Sequence, residues 1–257
     1  MLRWSFCLSI LLAVALAAGS VYGGSIVGSD HDLSAISAGR QHAGTDYNDY
    51  NAVCVYCHTP HGADPAVPLW NRQLNPDNYT LYDSSVSSTF DATPEQPSLT
   101  GVTRMCLSCH DGTIAVDSLV NEPNRSFAVA PNHMGMATSG QSVGPTVSGR
   151  CSDCHPAVDD GVIVNVAPSF VTTDLRDDHP VSFLYDSSLL ILDSGLENPA
   201  DTPSGLGGFI VDDMLIDNRV ECVSCHDVHD PGDTPGEVPF LIKDNTNSAL
   251  CVTCHKK

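Results

Sequence analysis

The apolar positions of this chain fall into one long run and many short ones. Phe6 to Ala18 is an apolar stretch behind a single positive charge, Arg3, and ahead of small residues. That order predicts a secretory signal peptide over 1–24, too short and too poorly flanked for a spanning helix. Cleavage after Ala18 and cleavage near Gly23 both fit. Cys7 lies at the start of the run, whereas a lipid-anchored cysteine would sit at the cleavage point. No second run of about 18 apolar residues follows, so the mature chain is expected to be exported and to carry no transmembrane segment.

Elsewhere the pattern predicts little regular structure. Residues 25–53 form a polar, Gly-containing arm. The stretch TGVTRMCLSCHDGTIAVDSL (100–119) suggests a short helix between turns, ending at His110. GVIVNV (161–166) alternates enough for a short strand. Residues 186–213 lack cysteine and are rich in Ser, Asp, Pro and Gly, which predicts a surface excursion. MLIDNRVEC (214–222) predicts a hairpin turning at Asp217-Asn218, because Asn and Asp tolerate the left-handed conformations such turns need. The expected class is mostly irregular coil with short α-helices and one or two small β-hairpins.

Composition sharpens that picture. The chain has 257 residues and a formal charge of −20, from 31 acidic and 11 basic side chains. Loss of Arg3 with the leader makes it −21. Nucleic acid is excluded as a partner, since phosphate binding needs clustered Lys and Arg. Aromatic residues make up 6% of the chain, against 20 Gly and 17 Pro. A core built from side chains alone would be thin, so something else is expected to fill the interior.

The cysteines say what. Apart from Cys7 they form five pairs: Cys54 with Cys57, Cys106 with Cys109, Cys151 with Cys154, Cys222 with Cys225, and Cys251 with Cys254. Each pair is CxxC, and each is followed at once by a histidine: His58, His110, His155, His226 and His255. Disulfides within CxxC are typically redox-active rather than structural, and they give no reason for the histidine. Zinc ribbons use CxxC in twos, and five pairs cannot all be matched. CxxCH is the attachment site of covalent haem: the thiols become thioethers and the next imidazole is the proximal iron ligand. Five covalently bound haem c groups are therefore expected. They imply a multihaem cytochrome in which stacked haems form the core, arranged as a first haem pair (54–120), a third haem region (121–185) and a last pair (186–257) within one unit, 25–257.

Six histidines remain: His31, His42, His61, His133, His179 and His229. Five irons take at most five distal ligands, so every iron can be bis-histidine with one imidazole to spare, and His42 is the expected spare. His61 and His229 each stand three residues after a proximal histidine, in CVYCHTPHG and CVSCHDVHD. A side chain so placed cannot reach round to the opposite face of its own haem, but it can reach a neighbouring iron. The two segments, each followed by a further CxxCH, form a loose repeat. Met134 and Met136 flank His133 and offer either a sulfur ligand or apolar packing on the porphyrin.

The motifs HDLS, CVYCHTPHGA, PLWNR, YTLYDSS, CLSCHDGTIAV, DDHPVSFLY and CVSCHDVHD…CVTCH resemble those of the doubled-CxxCH, cytochrome c3-like multihaem cytochromes. Among these, the chain most resembles the outer-membrane cytochrome E type of extracellular filaments, over about residues 29–257. The resemblance implies distal roles for His31, His61, His179 and His229. That type has four haems; CSDCHP (151–156) adds a fifth, with His133 as its natural distal ligand.

With both axial positions filled, such irons pass electrons rather than bind substrate, and two imidazoles imply comparatively low potentials. A non-enzymatic electron carrier is expected, at the cell surface or beyond it, or else in the periplasm. Its partners would be donor and acceptor redox proteins, or extracellular oxidants, and by resemblance further copies of itself in a head-to-tail filament. The His31 arm can reach back to the first haem or across to a neighbour's terminal haem. A multihaem reductase would need an open iron, which five CxxCH motifs and a surplus of histidines do not suggest. Phosphate loops, serine triads and hydrolase metal motifs are absent from the sequence.

Overall fold

The computed structural model describes residues 25–27, 29, 31–34, 52–63, 67, 69–75, 79–86, 90, 99–114, 119–122, 171–230, 232 and 240–256. The expected leader (1–24), the GVIVNV strand, the third CxxCH motif with Cys151, Cys154 and His155, and both His42 and His133 lie outside the described residues. Within them the chain is mostly coil, with a few short helices and a small two-stranded sheet.

The longest helix, α1, spans Gly101–His110 and ends at the histidine of the second CxxCH motif, as the sequence pattern suggests. Thr100 precedes it but does not cap it, because its hydroxyl donates to Glu221 instead. Asp111 and Gly112 (φ 71°) close the helix. One face, with Thr103, Leu107 and Ser108, is buried. The other CxxCH motifs form tighter turns: 3₁₀ turns at Val53–Tyr56 and Cys222–Ser224, and a single α turn, Cys251–Cys254. In each, the histidine N–H closes back on the first cysteine carbonyl, at 2.8 Å for His58, 3.1 Å for His226 and 3.0 Å for His255. One such turn puts both thiols and the imidazole on a common face.

The sheet pairs Phe183–Leu184 (β1) with Arg219–Val220 (β2), antiparallel, with Phe183 opposite Val220. The expected turn at Asp217-Asn218 is present, with φ values of 50° and 59°. Reciprocal bonds between Ile216 and Arg219 (3.1 and 2.9 Å) close it as a two-residue hairpin.

Residues 186–213 are not merely a surface excursion. Leu189, Leu196 and Ile210 from this stretch join Phe183, Tyr185, Met214, Leu215, Val220 and Leu250 in one buried cluster, and Ile210 is fully buried. The polar residues close their own turns: Asp186 caps the helix Ser187–Leu192 (α2) by accepting from the Ser188 N–H (2.8 Å), and Asp213 accepts from Ser204 and from the Gly208 N–H (2.8 Å). A segment rich in Ser, Asp and Gly thereby satisfies its backbone locally while its sparse aliphatics turn inward. A second, smaller cluster contains Leu81, Leu99, Leu107 and Leu175.

Candidate functional site

Three pairs of imidazoles define the site. His58 faces His229 with ring centroids 6.1 Å apart and planes at 12°. His31 faces His110 at 5.9 Å and 78°, and His179 faces His255 at 6.3 Å and 74°. Each pair joins the histidine of a CxxCH motif to one from elsewhere in the chain. Metal–imidazole bonds of about 2 Å put the centroids of two rings trans across one metal about 6.3 Å apart. The spacing leaves room for a metal between the two rings of each pair.

The outer nitrogens support that fit. The His179 Nδ1 lies 2.8 Å from the Pro180 carbonyl, and the His229 Nδ1 lies 3.7 Å from the Asp227 carboxylate. Engagement of Nδ1 leaves the Nε2 lone pair for a metal. His31 sits against Phe240 (4.3 Å), its Nδ1 buried without a hydrogen-bond partner. Burial first, then His110, His226 and His229, depress its pKa to about 4, so the ring is neutral at pH 7, the form that ligates.

The structure thus brings His31 to the second motif of its own chain, rather than to the first motif. His61 and His226 are exposed, and no ring pairs with either among the described residues.

The sequence assigns the cysteines to haem thioethers, and of the eight that the structure describes none is in a disulfide. They are Cys54 and Cys57 of the first motif, Cys106 and Cys109 of the second, Cys222 and Cys225 of the fourth, and Cys251 and Cys254 of the last. Cys54 and Cys251 are exposed and the other six are partly buried. Burial pushes the Cys57 thiol up to about 12 and the Cys254 thiol up to about 11. After burial, the largest contribution to the rise at Cys57 comes from Cys109, on the last turn of α1, so the first two motifs turn sulfurs toward each other. The Cys106 thiol donates to the Val102 carbonyl (3.7 Å) and the Cys222 thiol to the Thr103 hydroxyl (3.7 Å), and these two thiols, also from different motifs, perturb each other, Cys106 upward and Cys222 downward.

Behind the rings lies a frame that the sequence reading missed. Thr59 N–H donates to the Leu69 carbonyl (2.9 Å) and Asn71 N–H to the Cys57 carbonyl (2.9 Å), clamping His58 opposite Trp70. In the last pair Asp227 N–H donates to the Phe240 carbonyl (2.8 Å) and Ile242 N–H to the Cys225 carbonyl (3.0 Å), clamping His226 opposite Leu241. Leu69 and Phe240 share a φ of 65°. The signal was present as Val67-Pro68-Leu69 against Val238-Pro239-Phe240, visible once the two CxxCHxxH segments are aligned. The equivalence extends to the distal side. His31 and His179 each face the histidine of the second motif of their half, and each is followed three residues later by a buried serine, Ser34 and Ser182. Among the described residues, two segments thus repeat the same arrangement and are called halves here.

Glu221 joins them. It is 2% exposed and accepts from Thr100 and Thr103 of the first half and from Ser182 (3.2 Å), while its N–H donates to the Ser224 hydroxyl (2.9 Å).

Residues 216–257 match the family model of the doubled CXXCH motif. Tandem CxxCH motifs of this kind hold haem covalently in multihaem c-type cytochromes that transfer electrons. No curated protein matches the chain. Among the described residues, no helix is long and apolar enough to cross a membrane.

Proposed function

We propose that the protein is a pentahaem cytochrome that conducts electrons from haem to haem, each iron held by two histidines, as the subunit of an extracellular filament. The observation that carries this reading is the set of three imidazole pairs at 5.9–6.3 Å. Cys54 with Cys57, Cys106 with Cys109, Cys222 with Cys225, and Cys251 with Cys254 would hold four haems. Cys151 and Cys154, with His155 and His133, would hold the fifth. Haem supplies reversible one-electron chemistry when bound. The chain's part would be to offer a second histidine to each iron, with that of His226 supplied by another copy, which speaks against a reductase.

The repeat suggests how copies would join. His229 of the second half faces His58 of the first, while His226 of the second half has no ring opposite it among the described residues. The same relation applied once more brings His61 of another copy to His226. That contact is head-to-tail and leaves open ends, so it grows into a fibre. Exchange of the His31 arm, the other route to a fibre, has less support because His31 lies against His110 of its own chain.

The experiment is His61→Ala in the full-length holoprotein. The expected outcome is single particles in negative stain and one high-spin, carbon monoxide-binding haem per chain, against filaments and fully low-spin haem in wild type. Filaments with all haems low-spin in the variant would remove His61 from the contact. Wild type that stays as single particles at high concentration, with every iron six-coordinate, would make the protein a monomeric periplasmic shuttle. Ready carbon monoxide binding by wild type would favour a reductase.

A further inference from the structure

The three imidazole pairs differ in how their planes are turned. His31 and His110 cross at 78°, and His179 and His255 at 74°, whereas His58 and His229 lie at 12°, close to parallel. An imidazole turns about its bond to a metal at little cost, so a fixed angle needs a neighbour that fixes it. The neighbours differ from pair to pair. The His31 ring lies 4.3 Å from Phe240, and the His179 Nδ1 lies 2.8 Å from the Pro180 carbonyl.

His58 has Trp70. The indole stands edge-on to the imidazole, with centroids 5.9 Å apart and planes at 84°. The Trp70 backbone bridges antiparallel to that of His58, and its Nε1–H donates to the Ser108 hydroxyl (3.3 Å), so the side chain is held at both ends. Ser108 is fully buried on α1 and donates its own proton to the Met105 carbonyl (2.7 Å), which turns its oxygen lone pairs to the indole. On the far side of the pair, the Asp227 carboxylate accepts from the His229 N–H (2.9 Å) and lies 3.7 Å from its Nδ1. In the second half the residue opposite the first CxxCH histidine, His226, is Leu241, which has neither a ring edge nor a side-chain donor. The indole is thus a feature of one half alone.

We propose that Trp70, with Asp227 on the far side, is a positioning residue that holds His58 and His229 near parallel and gives the haem between them a ferric state unlike that at the other two pairs. The inference rests on the reading of the paired imidazoles as axial ligands, and the test separates the two. The π orbitals of two parallel imidazoles act on the same iron d orbital and split it from its partner. Crossed imidazoles act on one d orbital each and leave the two close in energy. The single hole of low-spin ferric iron then sits in the raised orbital of the parallel case, which stabilises the ferric ion, while the filled ferrous shell gains nothing. Ligand orientation therefore joins ligand identity and hydrogen bonding as a lever on the haem. Three sites with the same two ligands are told apart by it.

The test is electron paramagnetic resonance of the oxidised holoprotein, with intact mass to report haem loading. A wild type without haem would end the cytochrome reading itself. In loaded wild type, a rhombic low-spin signal from split orbitals is expected beside broad low-spin signals of large maximal g from near-degenerate ones. Differences between variant and wild type isolate one haem each. His229→Ala should replace the rhombic signal of one haem by a high-spin signal, whereas His179→Ala should remove a broad signal instead. Trp70→Leu, which copies the second half, should convert that same rhombic signal to the broad type, with every haem still low-spin and the other signals unmoved. A loaded wild type with no rhombic signal overturns the proposal, as does a loaded Trp70→Leu protein whose spectrum superimposes on wild type. A change in all the signals together also overturns it, because the indole would then support the fold at large and not one ring. Should Trp70→Leu fail to load, His229→Ala decides the question: loss of a broad signal there overturns the parallel geometry, and loss of the rhombic one upholds it.

Discussion

Replacing Glu221 by Ala tests the joint between the halves. The carboxylate collects the hydroxyls of Thr100, Thr103 and Ser182, and Thr103 and Ser182 are at most 1% exposed. A hydrogen bond to a charged group contributes about 1.5–3 kcal/mol, and a buried donor left without a partner costs about 1–3 kcal/mol. Against this, the alanine no longer has to desolvate a carboxylate, a return of several kcal/mol. Because the hydroxyls can rotate to partial substitutes, a net loss of about 2–4 kcal/mol is expected. Glu221→Gln keeps the shape and one acceptor oxygen, and its loss should be about half as large. Guanidinium unfolding of the loaded protein, followed by far-ultraviolet circular dichroism, measures both. A Glu221→Ala protein within about 0.5 kcal/mol of wild type would refute the reasoning, since that is the range of an unconnected surface site.

Two further outcomes are expected. The intact mass of the mature protein should exceed that of the polypeptide by five haems with no free thiol; an increment of four, with Cys151 and Cys154 open to alkylation, would show the CSDCH motif unloaded. Asp186→Ala should cost about 1 kcal/mol through loss of the α2 cap, read by the same unfolding experiment. The Ser188 hydroxyl and N–H hold the Asp186 carboxyl below its usual value, so the cap's contribution is present above about pH 4 and lost as the pH falls further; wild type and variant should converge in acid.

What the sequence made legible followed from local chemistry. CxxCH needs one helical turn to align two thiols and an imidazole, and α1 duly ends at His110. Asp217-Asn218 accept positive φ, so the hairpin could be placed to the residue. The inward turn of Ile210 was not legible, because its neighbours are Ser, Asp and Gly and no periodicity marks a face. Nor could the sequence say which motif His31 serves, since an arm of more than 20 residues spans several targets. Glu221 looked like one more acid in an acidic chain, and its burial depends on hydroxyls 39 to 121 residues away. The clamp at Leu69 and Phe240 was legible in principle, but the repeat drew attention to cysteine and histidine alone.

The mutual perturbation of Cys106 and Cys222 bears on the order of biosynthesis. These thiols belong to different motifs yet shift each other's acidity in the folded chain, and Cys57 is buried deeply enough, with Cys109 near it, that its thiolate is scarce. In an exported protein, folding ahead of maturation would offer the two neighbours to oxidation as a cross-bridge, while withholding other sulfurs from the vinyl groups they must attack. The expected order is therefore haem attachment on the open chain first, with the fold described here forming afterwards.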